Sequence, residues 1–144
     1  MRLMENKALI VNIMGLYIAL VGYTLPWFIC AGSERGISGF MLIVIYHKVV
    51  PLLALILIVS ASIVLLLGDI LRKMPRFSAV LSSLLGLSAA ILVEVCRITA
   101  YPPLLCIFID GAGFLVTKIG ALLQFVAGMI PFFPESTEKV EKQK

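Results

Sequence analysis

Apolar residues in this chain form long uninterrupted runs, whereas an amphipathic helix or strand would space them periodically. Three of these runs each exceed the roughly 18 residues that a helix needs to cross the hydrocarbon core of a bilayer. A fourth run is as long if the helix accommodates Glu94 and Arg97. The pattern predicts membrane-spanning helices over residues 8–30, 49–71, 77–101 and 111–133.

Four helices joined by short connections predict an all-α membrane protein, a tetraspan up-down bundle. Residues 1–133 would form a single transmembrane domain, and residues 134–144 a charged tail. Hydrophobic residues make up 61% of the chain and charged residues 14%, whereas about 25% of a soluble domain is charged. This excludes most soluble enzymes. The net charge of +4 is too small to indicate a nucleic-acid partner, so the lipid bilayer is the expected surrounding.

The positions of Lys and Arg predict how the bundle is oriented. They cluster before the first predicted span, between the second and third, and in the tail, at Arg2, Lys7, Arg72, Lys73, Arg76, Lys139, Lys142 and Lys144. Short loops rich in Lys and Arg remain cytoplasmic. We therefore expect an integral protein of the cell or cytoplasmic membrane with both termini and the tail inside.

A cleaved signal peptide is the rival interpretation of the basic start and first apolar run. Such signals have an apolar region of about 7–15 residues, which is shorter than the run here. The residues preceding Cys30 also lack the small residue expected at a lipoprotein cleavage site. We therefore expect the first helix to be retained.

Both predicted outer connections contain an unusual apolar segment. Residues 40–46 are too short to span a membrane, and they are consistent with a strand, an interfacial segment or an extension of the second helix. Residues 98–110 are similarly apolar, and exposed apolar patches indicate a partner or lipid surface. The two segments could pair as a small sheet or contact another subunit. Tyr23 and Trp27 lie near the same boundary, where such rings favour the headgroup level.

Small residues at helical spacing predict close contacts between helices. Gly15 and Gly22 lie in the first span, Gly86 in the third, and Gly113 and Gly120 in the fourth. Glycine allows neighbouring backbones to approach closely in a membrane. These residues are therefore candidate helix-packing positions.

Ionisable residues within predicted spans are rare and usually face the bundle interior or a cavity. Glu94 and Lys118 each lie seven residues from the outer end of a span, or about 10 Å deep at 1.5 Å per residue. They form a candidate intramembrane ion pair, with Arg97 as a competing partner of Glu94. Alternatively, Lys118 extends towards the surface and Glu94 pairs with Arg97 alone. Uncharged polar residues deeper in the spans are few: Asn12, Ser60, Ser62, Ser82, Ser83, Ser88 and Gln124.

Cysteine placement permits one disulfide. Cys30, Cys96 and Cys106 all lie near or beyond the predicted outer boundary. In an oxidising exterior, Cys30 could pair with Cys96 or with Cys106, which would leave one thiol over. Three free thiols are the alternative.

The single histidine, His47, limits cofactor and enzyme chemistry. It cannot provide the bis-histidine ligation of a membrane cytochrome, and the sequence contains no zinc-ligand spacing, no catalytic Ser-His-Asp pattern and no phosphate-binding glycine loop. We therefore expect no metal, no cofactor and no enzyme activity.

Several short motifs support a resemblance. Leu25-Pro26-Trp27 ends the first run, Gly36-Ile37-Ser38-Gly39 precedes the second, and Gly111-Ala112-Gly113-Phe114 opens the fourth. In these motifs the chain resembles small uncharacterised four-helix membrane proteins of prokaryotes that share an LPW and SG pattern, which implies the tetraspan topology but no activity. Claudin-like proteins are a more distant analogy. Their first outer loop carries a second Trp and a Cys pair, which this chain lacks, so their junctional role is not carried over.

Two functional hypotheses follow from these observations. The first is a non-enzymatic structural or accessory subunit that packs laterally in a larger membrane complex, against other subunits or further copies of itself. It overlaps with a cofactor-free subunit of a membrane enzyme. The alternative is a small ion-coupled transporter or channel that uses Glu94 and Lys118.

Overall fold

The computed structural model describes residues 2–31, 36–71, 75–99 and 108–133. Its elements are α1 (Arg2–Thr24), β1 (Pro26–Cys30), β2 (Gly36–Ser38), α2 (Gly39–Val44), α3 (Val49–Leu71), α4 (Pro75–Thr99), β3 (Phe108–Asp110) and α5 (Ala112–Met129), followed by a 3-10 turn (Ile130–Phe132). Within these residues, α1, α3, α4 and α5 are long and apolar enough to cross a membrane. The four-helix prediction is confirmed at this level, and the chain is compatible with an integral membrane protein. The predicted tail and the basic residues 72 and 73 lie outside the described part.

The prediction for the first helix is wrong at its C-terminal end, which was placed at residue 30. The helix α1 ends at Thr24, and the next five-residue element, Pro26–Cys30, is the strand β1. Pro26 lacks an amide donor and disfavours helical geometry at Leu25, and the Trp, Phe and Ile that follow suit a strand. By contrast, the second predicted span coincides with α3.

The long helices pack as an antiparallel bundle. The helix α5 lies along both α1 and α4, and α4 also lies along α3, whereas α1 and α3 share a smaller contact. Gly15 contacts Gly120 and Gly22 contacts Thr117, so residue numbers increase along α1 in the direction in which they decrease along α5. The two helices are therefore antiparallel. The beginning of α1 and the end of α5 therefore lie at the same end of the bundle.

A small sheet covers the other end, which we call the sheet end. The strand order is β2-β1-β3, and both pairings are antiparallel. Phe28 lies opposite Ile37 on one side and Asp110 on the other. A small sheet is therefore present, but of the alternatives left open for residues 40–46, the strand is wrong.

Residues Gly39–Val44 instead form the short helix α2. Ser38 is the N-cap of this helix. Its Oγ accepts a hydrogen bond from Met41 N at 3.3 Å, which is the usual role of serine at that position. The helix ends before His47, whose positive φ of 50° turns the chain towards α3.

Candidate functional site

Aromatic side chains fill the space beneath the sheet. Ring centroids lie 4.6 Å apart for Trp27 and Phe114, 4.9 Å for Tyr23 and Trp27, 5.1 Å for Phe28 and Phe114, and 5.5 Å for Tyr23 and Phe40. We call these five residues the aromatic cap. Such separations are typical of favourable offset and edge-to-face ring pairs.

The polar atoms of the aromatic cap are satisfied inside the protein. Trp27 Nε1 donates a hydrogen bond to the Gly22 carbonyl at 3.0 Å, and the Tyr23 hydroxyl donates to the Pro51 carbonyl at 2.7 Å. Both rings are fully buried. Both rings therefore pack inside the protein and do not face lipid, whereas their level relative to the headgroups stays a prediction.

Motif residues from three separate parts of the sequence meet at Trp27. A Cβ added to Gly39 would lie 2.8 Å from Trp27 Cε2, and one added to Gly113 would lie 2.7 Å from the Leu25 carbonyl oxygen. Gly111 N donates a hydrogen bond to the Trp27 carbonyl at 2.8 Å. The LPW, SG and GAGF motifs thus form one packed unit, in which the glycines make room for the indole.

The five candidate packing glycines are all buried within the bundle. A Cβ on Gly15 would lie 2.7 Å from the Gly120 carbonyl oxygen, and one on Gly86 would lie 2.8 Å from Phe125 N. A Cβ on Gly22 would collide with Thr117. These glycines hold α5 against α1 and α4 inside the bundle, so none of the five is free to contact another subunit.

Four charged side chains form a cluster at the sheet end. Lys118 Nζ lies 2.8 Å from Glu94 Oε2, Arg97 Nη2 lies 2.9 Å from Glu94 Oε1, and Arg97 Nη1 lies 3.5 Å from Asp110 Oδ2. We call these four residues the charge cluster. The structure brings Glu94, Lys118 and Arg97 together, so both partners predicted for Glu94 contact it at once.

The charge cluster links three elements and has no net charge. Glu94 and Arg97 lie on α4, Lys118 on α5 and Asp110 on β3. The exposed fractions of these side chains are 38–47%, so solvent or headgroups screen the ion pairs. Since each carboxylate oxygen of Glu94 already contacts a cation, the arrangement suits a structural tie.

Sequence reasoning did not predict that polar residues from all four long helices would meet inside the bundle. Asn12 Nδ2 donates to Ser82 Oγ at 3.2 Å, and Ser82 Oγ donates to the Ala61 carbonyl at 2.8 Å. Gln124 Nε2 donates to Ser62 Oγ at 2.8 Å and to the carbonyl of Ile58 at 3.0 Å. We call Asn12, Ser62, Ser82 and Gln124 the polar layer.

The signal for the polar layer is present in the sequence but becomes visible only in the fold. Each helix contributes one member: Asn12 from α1, Ser62 from α3, Ser82 from α4 and Gln124 from α5. Each side chain is at most 9% exposed. Isolated polar residues in apolar runs indicate inward-facing positions, but the sequence does not state which of them share a level.

The cysteines are divided between a disulfide and a buried thiol. Cys30 is disulfide-bonded, and Cys96 is free and buried. The alternative pairing of Cys30 with Cys96 is therefore wrong, as is the alternative of three free thiols. Cys106, the other predicted candidate, lies outside the described residues.

Metal-ligating side chains are dispersed. Among residues 2–31, 36–71, 75–99 and 108–133, no group of three or more His, Cys, Asp or Glu is placed to hold a metal ion. His47 is exposed in the turn between α2 and α3.

Comparison of the chain with family models, with curated proteins and with solved structures finds no match. The resemblance to small prokaryotic four-helix proteins stays a prediction. The functional proposal therefore depends on the geometry of the chain itself.

Proposed function

We propose that this chain is a non-enzymatic structural or accessory subunit that packs laterally against other membrane proteins in a larger complex. One observation carries the proposal: its conspicuous polar side chains are used to tie its own elements together. Both carboxylate oxygens of Glu94 contact cations on α4 and α5. Gln124 likewise uses its amide nitrogen to join α5 to α3. Such use of side chains suits a rigid bundle that presents a surface.

The surface that we propose for lateral contact is one side of α2. Phe40, Met41, Val44 and Ile45 are exposed there, with Val44 at 68%, while Gly39 and Leu42 face the protein. The helix α2 is held against the aromatic cap, because Gly39 lies against Tyr23 and Trp27 and the partly exposed Phe40 ring packs against the Tyr23 ring. An apolar surface held rigidly in this way can bind a partner without the entropic cost of ordering a loop.

Photocrosslinking combined with native mass measurement tests this proposal. A photoreactive residue at Val44 should crosslink to one defined protein after gentle extraction. The matched control is Ile91, which is 56% exposed on α4 in the middle of the bundle, and it should crosslink mainly to lipid. Recovery of an uncomplexed monomer together with equal lipid adducts at both positions would contradict the accessory role.

We also propose that the sheet end faces the exterior and that both termini are cytoplasmic. Lys7 and Arg76 lie at the end opposite the sheet, in agreement with the tendency of basic residues to remain inside. Cys30, at the sheet end, is disulfide-bonded, and disulfides persist in oxidising compartments. These two independent signals support the same orientation.

Two cysteine substitutions on one helix test the orientation. Thr99→Cys and Arg76→Cys place exposed thiols near opposite ends of α4. In intact cells, a membrane-impermeant maleimide should label the first variant and should label the second only after permeabilisation. The reverse pattern would contradict the proposed orientation.

A second candidate is a small ion-coupled transporter that uses Glu94 and Lys118. The observation in its favour is the 2.8 Å contact between these opposite charges on two helices long enough to span a membrane. Proteoliposomes containing the chain should then show a solute or ion flux that Glu94→Gln abolishes. The flux should survive in Asp69→Asn, which changes a carboxylate near the other end of the bundle. Absence of flux in the unmodified chain would contradict this candidate.

A further inference from the structure

Two fully buried amide oxygens in the polar layer lack a hydrogen-bond donor. Among the described residues, none donates to Asn12 Oδ1 or to Gln124 Oε1. Both side chains are 0% exposed. A buried acceptor without a donor is unfavourable, so each of these oxygens indicates a group that supplies a donor.

Reversing the amide of Gln124 would let its oxygen accept from the Ser62 hydroxyl, but it would also bring that oxygen against the Ile58 carbonyl. Gln124 Nε2 faces the Ile58 carbonyl, which can only accept a hydrogen bond. A reversed amide would place two acceptor oxygens 3.0 Å apart. The orientation of Gln124 is therefore fixed by its neighbour, and Oε1 must find a donor elsewhere.

The hydrogen bonds of Ser82 favour the observed amide orientation of Asn12. Its Nδ2 donates to Ser82 Oγ, and the single hydroxyl proton of Ser82 is given to the Ala61 carbonyl. A reversed Asn12 could accept from the Ser82 hydroxyl only if Ser82 gave up its hydrogen bond to the Ala61 carbonyl. In the observed orientations, neither amide oxygen has a donor among the described residues.

We propose that the polar layer binds water inside the bundle, with water hydrogen atoms donated to Asn12 Oδ1 and Gln124 Oε1. Water carries two donors and no charge, and buried water typically satisfies two to four polar groups that the protein leaves unpaired. This proposal does not depend on the accessory role, because it concerns what the interior of the bundle contains.

A metal cation is the less suitable occupant. All four members of the polar layer are uncharged, so a cation there would have no counter-charge from them. Glu94 is twelve residues from Ser82 along α4, which corresponds to about 18 Å at 1.5 Å per residue. Burial of an unneutralised charge at such a depth costs far more than burial of a neutral molecule.

Solid-state NMR of the full chain in deuterated lipid bilayers can detect the proposed water directly. Amide labelling is simple, because Asn occurs only at positions 6 and 12 and Gln only at positions 124 and 143. Magnetisation from water protons should reach the side-chain amides of Asn12 and Gln124. The variants Asn12→Leu and Gln124→Met assign the two signals by removing them.

The indole of Trp27 is the matched dry reference. It is the chain's only tryptophan, and its Nε1 is buried with a donor bond to the Gly22 carbonyl. We expect transfer to the two amides to be at least about threefold faster than transfer to the indole. Equal, slow transfer at all three sites would overturn the proposal.

Thermal unfolding in NaCl and in choline chloride at equal concentration distinguishes water from a cation. With water in the polar layer, the two salts should give the same midpoint for the unmodified chain. A sodium-dependent increase that Gln124→Met abolishes would mean that a cation is bound, and it would also overturn the proposal.

Discussion

The aromatic cap and the polar layer hold the same bundle together by different physical means. In the aromatic cap, large rings interlock with glycines, and the Trp27 and Tyr23 polar atoms are all bonded. In the polar layer, uncharged side chains form a few hydrogen bonds between helices and leave two amide oxygens without donors. The first region is a close fit of shapes, whereas the second is a sparse set of directional contacts.

The difference between the two regions follows from the energetics of helix packing in a membrane. Lipid tails are as apolar as leucine, so burial of leucine against a neighbouring helix gives little preference for that neighbour. Selection among helix arrangements must then come from shape or from hydrogen bonds. We therefore expect shape to dominate stability at the aromatic cap and hydrogen bonds to make a smaller contribution at the polar layer.

Removal of the Trp27 ring should produce the largest loss in the free energy of unfolding. Trp27→Ala leaves a cavity beneath the sheet, and truncation of a buried Trp typically costs about 3–5 kcal/mol. The free energy of unfolding can be measured by SDS titration, with the reaction of the buried thiol of Cys96 with a maleimide as the readout. Phe77→Ala, at a ring that is 64% exposed, is the control and should change little. Equal losses in both variants would contradict the role of the aromatic cap.

A substitution that forces α1 and α5 apart should produce the next largest loss in the free energy of unfolding. Gly120→Val would drive a Cβ against the Gly15 carbonyl oxygen, 2.5 Å away, which is backbone and cannot move aside alone. Overpacking of this kind costs about 1–3 kcal/mol. Trp27 fluorescence during unfolding provides the measurement.

The same substitution at an exposed site of the same helix serves as the control for Gly120→Val. Ala112 begins α5 and is exposed, so Ala112→Val should leave the unfolding midpoint nearly unchanged. If the two variants behave alike, the glycine contact does not hold α1 against α5.

Loss of a hydrogen-bonding group in the polar layer should produce a smaller effect. Gln124→Met preserves side-chain size but removes the bonds to Ser62 and Ile58. Interhelical hydrogen bonds in membrane proteins average about 0.6 kcal/mol each, so we expect a loss of about 1 kcal/mol in the SDS unfolding assay. Ser88→Ala, at an exposed serine on α4, should have no effect. A loss of stability in Gln124→Met as large as that in Trp27→Ala would contradict the proposed difference between the polar layer and the aromatic cap.

The charge cluster should produce the smallest effect, because its side chains are half exposed. Lys118→Met alone should destabilise the bundle, and part of that loss should be recovered when Glu94→Gln is added, since the single variant deprives the Glu94 carboxylate of one of its two cations. Arg97 still contacts Glu94 in the single variant and limits the loss. Added salt should reduce the coupling.

The control for this double-variant cycle is a pair of charged residues that do not contact each other. Lys7 is exposed at the end opposite the sheet, so Lys7→Met combined with Glu94→Gln should show additive effects. Additivity for Lys118 and Glu94 as well would show that their contact contributes no coupling energy.

Sequence patterns predicted the helices far better than the sheet. The predicted span 49–71 coincides with α3, because an apolar run of that length has few other stable conformations in a bilayer. The strand β1 was missed, because its residues continue the first apolar run and only Pro26 marks the change. The spacing of Glu94 and Lys118 suggested their proximity in antiparallel helices, and the structure places them 2.8 Å apart. Nothing in the sequence indicated that Asp110 would join them.

The sequence by itself determined that four apolar helices form, since run length and composition decide whether a segment can satisfy its backbone inside lipid. Only the tertiary structure decided which side chains meet. It brought Trp27 together with Gly39 and Gly113, and it placed Asn12, Ser82 and Gln124 at one level of the bundle. The reason is physical: hydrocarbon solvates every apolar face alike, so the choice of neighbours depends on the fit of surfaces and on donor and acceptor positions that exist only after the helices have packed.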